Sequence, residues 1–133
     1  MTILVADDSP LSRELMRELL ESLGHVVLEA VNGCDALDLI RGFVPELVFL
    51  DLQMPLQDGF GVIRELRKDS RFQNLPVVAV TASAKIGDRE RAIAAGFDSY
   101  IAKPIDLCEV DAQVAAFASR PRVGNDNCLT SKP

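Results

Sequence analysis

Four apolar runs punctuate this chain, each no longer than four residues, and each stops on a polar residue of a different chemical kind. Ile3-Leu4-Val5-Ala6 meets Asp7 and Asp8, Leu47-Val48-Phe49-Leu50 meets Asp51, Val77-Val78-Ala79-Val80 meets Thr81, and Tyr100-Ile101-Ala102 meets Lys103. Runs this short and continuous read as strands buried on both faces. Between them lie stretches of helical period, so the pattern alternates strand and helix and predicts an α/β fold. If the runs are neighbouring parallel strands, their carboxyl ends share one edge of one sheet, where open α/β sheets bind ligands.

The helical stretches can be placed from their spacing. Leu11, Leu15, Leu19 and Leu23 recur every four residues with Met16 and Leu20 beside them, opposite Arg13, Glu14, Arg17, Glu18 and Glu21. Pro10 suits a first helical turn and Gly24 a left-handed stop. A fifth strand, Val26 to Ala30, follows directly. Asn32-Gly33 then turns the chain into a helix carrying Leu37, Ile40 and Phe43, which Pro45 closes. A third helix spans about Gly59 to Lys68. The fourth, about Asp88 to Ala95, lies between Gly87 and Gly96 and has few large apolar residues. The last, about Asp106 to Ala118, sets Leu107, Val110, Val114 and Phe117 on one face. Five strand–helix units with right-handed crossovers make a doubly wound sheet with helices on both faces. The chain of 133 residues therefore reads as one domain over residues 1–118, with 119–133 as a polar, mostly disordered tail.

Bulk composition excludes several classes. A net charge of −6 without any basic run argues against a nucleic-acid surface. The apolar stretch after Met1 is too short for a signal peptide or a membrane span. Cys34, Cys108 and Cys128 are odd in number and far apart, which suggests reduced thiols rather than a disulfide framework or zinc site. A soluble, cytoplasmic protein is expected. His25, the only histidine, follows Gly24 in a turn and reads as a solvated loop residue.

Each strand end carries its own chemistry and its own bland alternative. Adjacent carboxylates at Asp7 and Asp8 repel, and a divalent cation with oxygen ligands relieves that; equally, Asp8 or Ser9 could cap the helix at Pro10. Asp51 follows a continuous apolar run, so its carboxylate is partly desolvated at the sheet rim and could attack phosphorus, or act only as a loop acid. In Asp51-Leu52-Gln53-Met54-Pro55 with Asp58-Gly59, the turn residues force a tight loop that could bring the Gln53 carbonyl toward the same cation. Thr81 offers a hydroxyl, and Ala82 leaves room for a phosphodonor; Thr81 or Ser83 could instead be a cap. Lys103 offers a point charge for phosphoryl oxygens, or a solvated ammonium ahead of Pro104.

Taken in order and spacing, Asp7-Asp8-Ser9, Asp51 to Pro55 with Asp58-Gly59, Thr81-Ala82, and Tyr100 three residues before Lys103-Pro104 resemble the receiver domain of two-component response regulators, the CheY-like family. The resemblance covers about Thr2 to Ala118. It implies a flavodoxin-like five-stranded parallel sheet of order 2-1-3-4-5. It also implies that Asp51 is the phosphoacceptor, and that Asp8, Asp51 and the Gln53 backbone carbonyl hold Mg²⁺, or Mn²⁺ in its place, with Asp7 acting through water. Thr81 and Lys103 would bind phosphoryl oxygens, Tyr100 would follow Thr81 inward as a switch, and Gln53, Ala82 and Ser83 would govern access. The Lys103-Pro104 bond would be cis. The implied donor is a sensor histidine kinase or histidine phosphotransfer protein, acting on a monomer or weak dimer that signals to a downstream protein partner, without nucleic acid or membrane.

Three alternatives stand beside this reading. The chain could be a receiver fragment of a longer hybrid kinase or regulator, since no output or DNA-binding domain fits after the last helix. It could be an aspartate-nucleophile phosphatase, although such enzymes place a general acid two residues after the nucleophile and Gln53 stands there. It could also be a receiver-like module that signals without phosphate.

Overall fold

The computed structural model describes residues 1–54, 57–82 and 86–118. The expected tail from residue 119 and the access residue Ser83 lie outside the described residues. The elements are β1 (Thr2–Ala6), α1 (Pro10–Ser22), β2 (Val26–Ala30), α2 (Gly33–Phe43), β3 (Leu47–Asp51), α3 (Gly59–Lys68), a short 3₁₀ turn (Ser70–Phe72), β4 (Val77–Thr81), α4 (Asp88–Ala95), β5 (Ser99–Ala102) and α5 (Leu107–Ala118). The five strands pair in parallel in the order β2-β1-β3-β4-β5, as the resemblance implies.

Because successive side chains of a strand point to opposite faces, each apolar run feeds two cores. Leu4, Val48, Leu50, Val77 and Ala79 pack beneath α2, α3 and α4 through Ala36, Ile40, Val62, Ile63, Leu66 and Ala92. Ile3, Val5, Phe49, Val80 and Ile101 pack beneath α1 and α5 through Met16, Leu20, Val110 and Val114. Residues in β3 and β4 are buried without exception, which is why those runs show no polar alternation.

The helix starts have local causes. Ser9 caps α1 through the Ser12 amide, Asn32 caps α2 through Asp35, and Asp58 caps α3 through Gly61. By contrast, α4 starts from Gly87 at φ 88° with no side-chain cap, and buries only Asp88 and Ala92. The stripe on α1 is narrower than the leucine spacing predicts. Met16 and Leu20 are buried, but Leu11 is 66% exposed, and Leu15 and Leu23 lie at the surface. Phe43 is likewise exposed at the end of α2, where the chain turns through Val44 at φ 48°. His25 is half-buried against the Met1 amine, 3.0 Å from Nδ1, rather than solvated.

Arg67, which sequence reading passed over, ties the α3 and α4 ends together. Its guanidinium donates to the carbonyls of Gly96 (2.7 Å), Phe72 (2.7 Å) and Leu75 (2.9 Å), and to Asp98 Oδ2 (3.0 Å). Asp98 in turn accepts from the Val77 amide at the start of β4. Replacing Arg67 by Met keeps its aliphatic stem but takes a donor from three carbonyls and a charge partner from Asp98. Urea denaturation should show a loss of about 2 kcal/mol, more than an ordinary surface arginine contributes.

Candidate functional site

Strand register decides which end residues meet. Ala6 pairs with Leu50, so the next step sets Asp7 beside Asp51. Ile3, Val5, Phe49 and Ile101 all face α1 and α5, and Asp7, Asp51 and Lys103 continue that same phase. The Lys103 ammonium consequently lies 3.0 Å from Asp7 Oδ2 and 3.1 Å from Asp51 Oδ2. Both carboxylates are almost wholly enclosed, while the lysine keeps a partly open face.

Backbone donors complete the arrangement. The Gln53 amide donates to Asp51 Oδ1 at 2.9 Å, and the Ser9 amide to Asp7 Oδ1 at 2.8 Å. Gly59 makes this possible at close quarters, since a Cβ there would stand 2.8 Å from the Asp51 carbonyl oxygen and from Leu52 Cα. Asp8 is exposed, yet its carboxylate, with those of Asp7 and Asp51, offers oxygens that all lie within 4.8 Å of one another.

Three carboxylates against one ammonium leave a local charge of −2 within a few ångströms. Among the described residues no histidine or cysteine joins the group, so its donor set is hard oxygen and fits Mg²⁺ or a similar dication rather than zinc. Asp51 feels the crowding. Burial, chiefly, and the neighbouring Asp7 push its carboxyl from 3.8 up to about 6, against the opposing pull of the Gln53 amide and Lys103. Burial alone would lower Lys103, but its hydrogen bonds to Asp7 and Asp51 outweigh that and hold it above its ordinary value.

Thr81 is buried at the end of β4 and receives the chain of Lys103 through its carbonyl, 2.7 Å from the Lys103 amide. Ala79 pairs with Tyr100 and Thr81 with Ala102, so Thr81 and Tyr100 lie diagonally on one face, the face covered by α4. The Tyr100 hydroxyl is buried and has no hydrogen-bond partner among the described residues. Burial first, then the charge of Asp88 at the start of α4, raises its pKa. Ala82 and the Gln53 side chain are exposed at the mouth. The Lys103-Pro104 peptide bond is cis.

Known proteins are similar to this chain in sequence and in fold. Residues 3–115 match the family model described as the response regulator receiver domain. The polar-differentiation response regulator DivK of Brucella anthropi is 38% identical over 106 residues, which span 80% of this chain and 86% of that protein. The receiver domain of a Francisella response regulator matches with a TM-score of 0.85 at 27% identity, over 91% of this chain and 98% of that one. The receiver domain of a Pseudomonas aeruginosa sensor histidine kinase, solved with magnesium coordinated in its active-site cleft, matches with a TM-score of 0.82 at 28% identity, over 90% and 98%.

The raised Asp51 pKa sets a pH dependence for the cation-free protein. Between 3.8 and about 6 the folded chain retains a proton that the unfolded chain has lost, so this group makes stability fall as pH rises through that window. The fall should be at most about 3 kcal/mol in denaturant titrations, vanish in Asp51→Asn, and be reversed above the window by millimolar Mg²⁺. Gly59→Ala should destabilise by about 2 kcal/mol and weaken Mg²⁺ binding, because the added methyl displaces the Asp51–Leu52 backbone.

Proposed function

The chain belongs to the response regulator receiver domain family, and from that premise we propose that it accepts a phosphoryl group from a phosphohistidine onto Asp51. The observation that carries the reading is the state of Asp51 itself. It is a buried carboxylate of raised pKa, held at a sheet edge by an amide and an ammonium inside a cluster with two surplus negative charges. At neutral pH a carboxyl with a pKa of about 6 is mostly ionised, and it is more basic than an ordinary aspartate.

In this reading, an Asp51 oxygen forms a bond to phosphorus as the P–N bond to the donor histidine breaks, and the imidazole leaves with the bonding pair. Asp8, Asp51 and the Gln53 carbonyl would hold Mg²⁺, with Asp7 reaching it through water. A bound Mg²⁺ shields the carboxylate from the incoming phosphoryl charge. Lys103 neutralises the oxygens that arrive, and the Thr81 hydroxyl donates to one of them. Drawing Thr81 toward the phosphoryl group alters the face it shares with Tyr100 and α4, which turns the chemistry into a change of binding surface.

Members of this family are signalling receivers rather than turnover enzymes, and Gln53 supports the same assignment here. An amide cannot protonate a leaving group, so the site lacks the general acid of an aspartate-nucleophile phosphatase. We read residues 1–118 as the receiver unit and place it in the cytoplasm; among the described residues no helix is long and apolar enough to cross a membrane. The likeness to the receiver domain of a sensor kinase favours one second reading, in which the same unit serves inside a longer relay protein.

Incubation with a small phosphodonor and Mg²⁺ should add the mass of a single phosphoryl group at Asp51, seen by intact mass and peptide mapping. Asp51→Asn should abolish it. An undiminished gain in that variant would remove the assignment, and so would multiple turnovers on small phosphoesters. Lys103→Ala should lower the phosphorylation rate by at least about a hundredfold, because an uncompensated charge then meets the incoming group.

A further inference from the structure

Asp8 differs from its two partners in one respect. Asp7 and Asp51 have carboxylates pinned by Lys103 and by backbone amides, whereas the Asp8 carboxylate is exposed and has no hydrogen-bond partner among the described residues. Where it projects from is therefore set by its backbone, beginning with the peptide that joins it to Asp7. That peptide is gripped from α1. Arg13 donates from a terminal guanidinium nitrogen to the Asp7 carbonyl oxygen at 2.8 Å, and the preceding Ala6–Asp7 peptide is tied to β2 by the Asp7 amide, which donates to the Ala30 carbonyl at 3.1 Å.

The guanidinium is itself held in place. Its Nε donates to Glu29 Oε1 at 3.3 Å, and the other oxygen of Glu29 accepts from Arg17 at 3.1 Å. Arg13 thus bridges β2, the first helix and the Asp7–Asp8 peptide, with its side chain only 17% exposed. Resting on the cation-site reading above, we propose that Arg13 is a positioning residue for that site. It fixes the Asp7–Asp8 peptide so that the otherwise unheld Asp8 carboxylate is aimed at Asp51 before the dication arrives. Rigidity supplied in advance lowers the entropy lost on coordination, and an outer-shell partner of this sort typically influences metal affinity strongly.

The sign of the effect separates this role from simple electrostatics. Removing a positive charge beside an acidic cluster should, by Coulomb's law, tighten dication binding. Loss of positioning should weaken it. Isothermal titration of the whole chain with Mg²⁺ would compare wild type, Arg13→Met, Arg13→Lys and Arg17→Met, with the Asp8 amide followed by ¹⁵N NMR in the absence of Mg²⁺.

We expect Arg13→Met to bind Mg²⁺ roughly tenfold more weakly, with a displaced Asp8 amide signal before any cation is added. Arg13→Lys retains the charge but cannot span Glu29 and the carbonyl together, so it should lose at least about threefold; this arm stands alone if the Met variant does not fold. Arg17→Met removes a charge from the same patch and one of the two partners of Glu29 without touching the peptide, and should lose less affinity than either Arg13 variant. Unchanged or tighter binding in the Arg13 variants, or an equal loss in Arg17→Met, would overturn the positioning role and leave the cation site standing. Absence of Mg²⁺ binding in wild type would instead remove the site reading, and the role of Arg13 with it.

Discussion

One ammonium shared by two enclosed carboxylates organises this molecule. Lys103 stands 3.0 Å from Asp7 and 3.1 Å from Asp51, residues that end or directly follow three different strands and are separated by up to 96 positions in the chain. Burying Asp7 and Asp51 without it would leave two like charges side by side in a poorly solvated place, which is strongly unfavourable. With it, the cluster is tolerable but still two charges short of neutrality. That deficit is what a dication and a phosphoryl group could together exploit, one satisfying the carboxylates and the other engaging the lysine. Sheet register has to be right to within one residue for the three groups to meet at all, since a single step would send one of them to the opposite face.

Much of this was legible in the sequence because strands buried on both faces are short, apolar and abruptly ended. The five strands and the helix between each pair follow from the apolar pattern, and the gathering of Asp7, Asp51, Thr81 and Lys103 at one edge follows on condition that the four runs are neighbouring parallel strands. Strand order did not follow from them; it came from the resemblance and agrees with the observed β2-β1-β3-β4-β5. Surface and core were less readable on the helices. Leu11, Leu15, Leu19 and Leu23 form a clean periodic stripe, yet the face that α1 turns to the sheet is centred on Met16 and Leu20, and most of the stripe stays outside. Periodicity finds a helix but not how much of its apolar arc the sheet will cover.

Polar residues that act through backbone were missed for a related reason. Arg67 and Arg13 look like ordinary members of charged helical faces, and their partners are mainly carbonyl oxygens, which leave no mark in a sequence. Asp98, bridging Arg67 and the Val77 amide, is similarly silent. Only the meeting of separate segments in space gives these side chains their roles. His25 shows the converse, a residue read as solvated from its neighbours that tertiary packing half encloses.

The alternation of side chains along β4 and β5 has a broader consequence. Asp7, Asp51 and Lys103 belong to the phase that faces α1 and α5, while Thr81 and Tyr100 belong to the phase that faces α4. A reaction on one side of the sheet and a message read on the other would then meet only at the rim, through the end of β4. Such a division separates the two sides physically. Substitutions around α4 and β5 can alter the one face while the acidic edge that opens toward the other keeps its geometry.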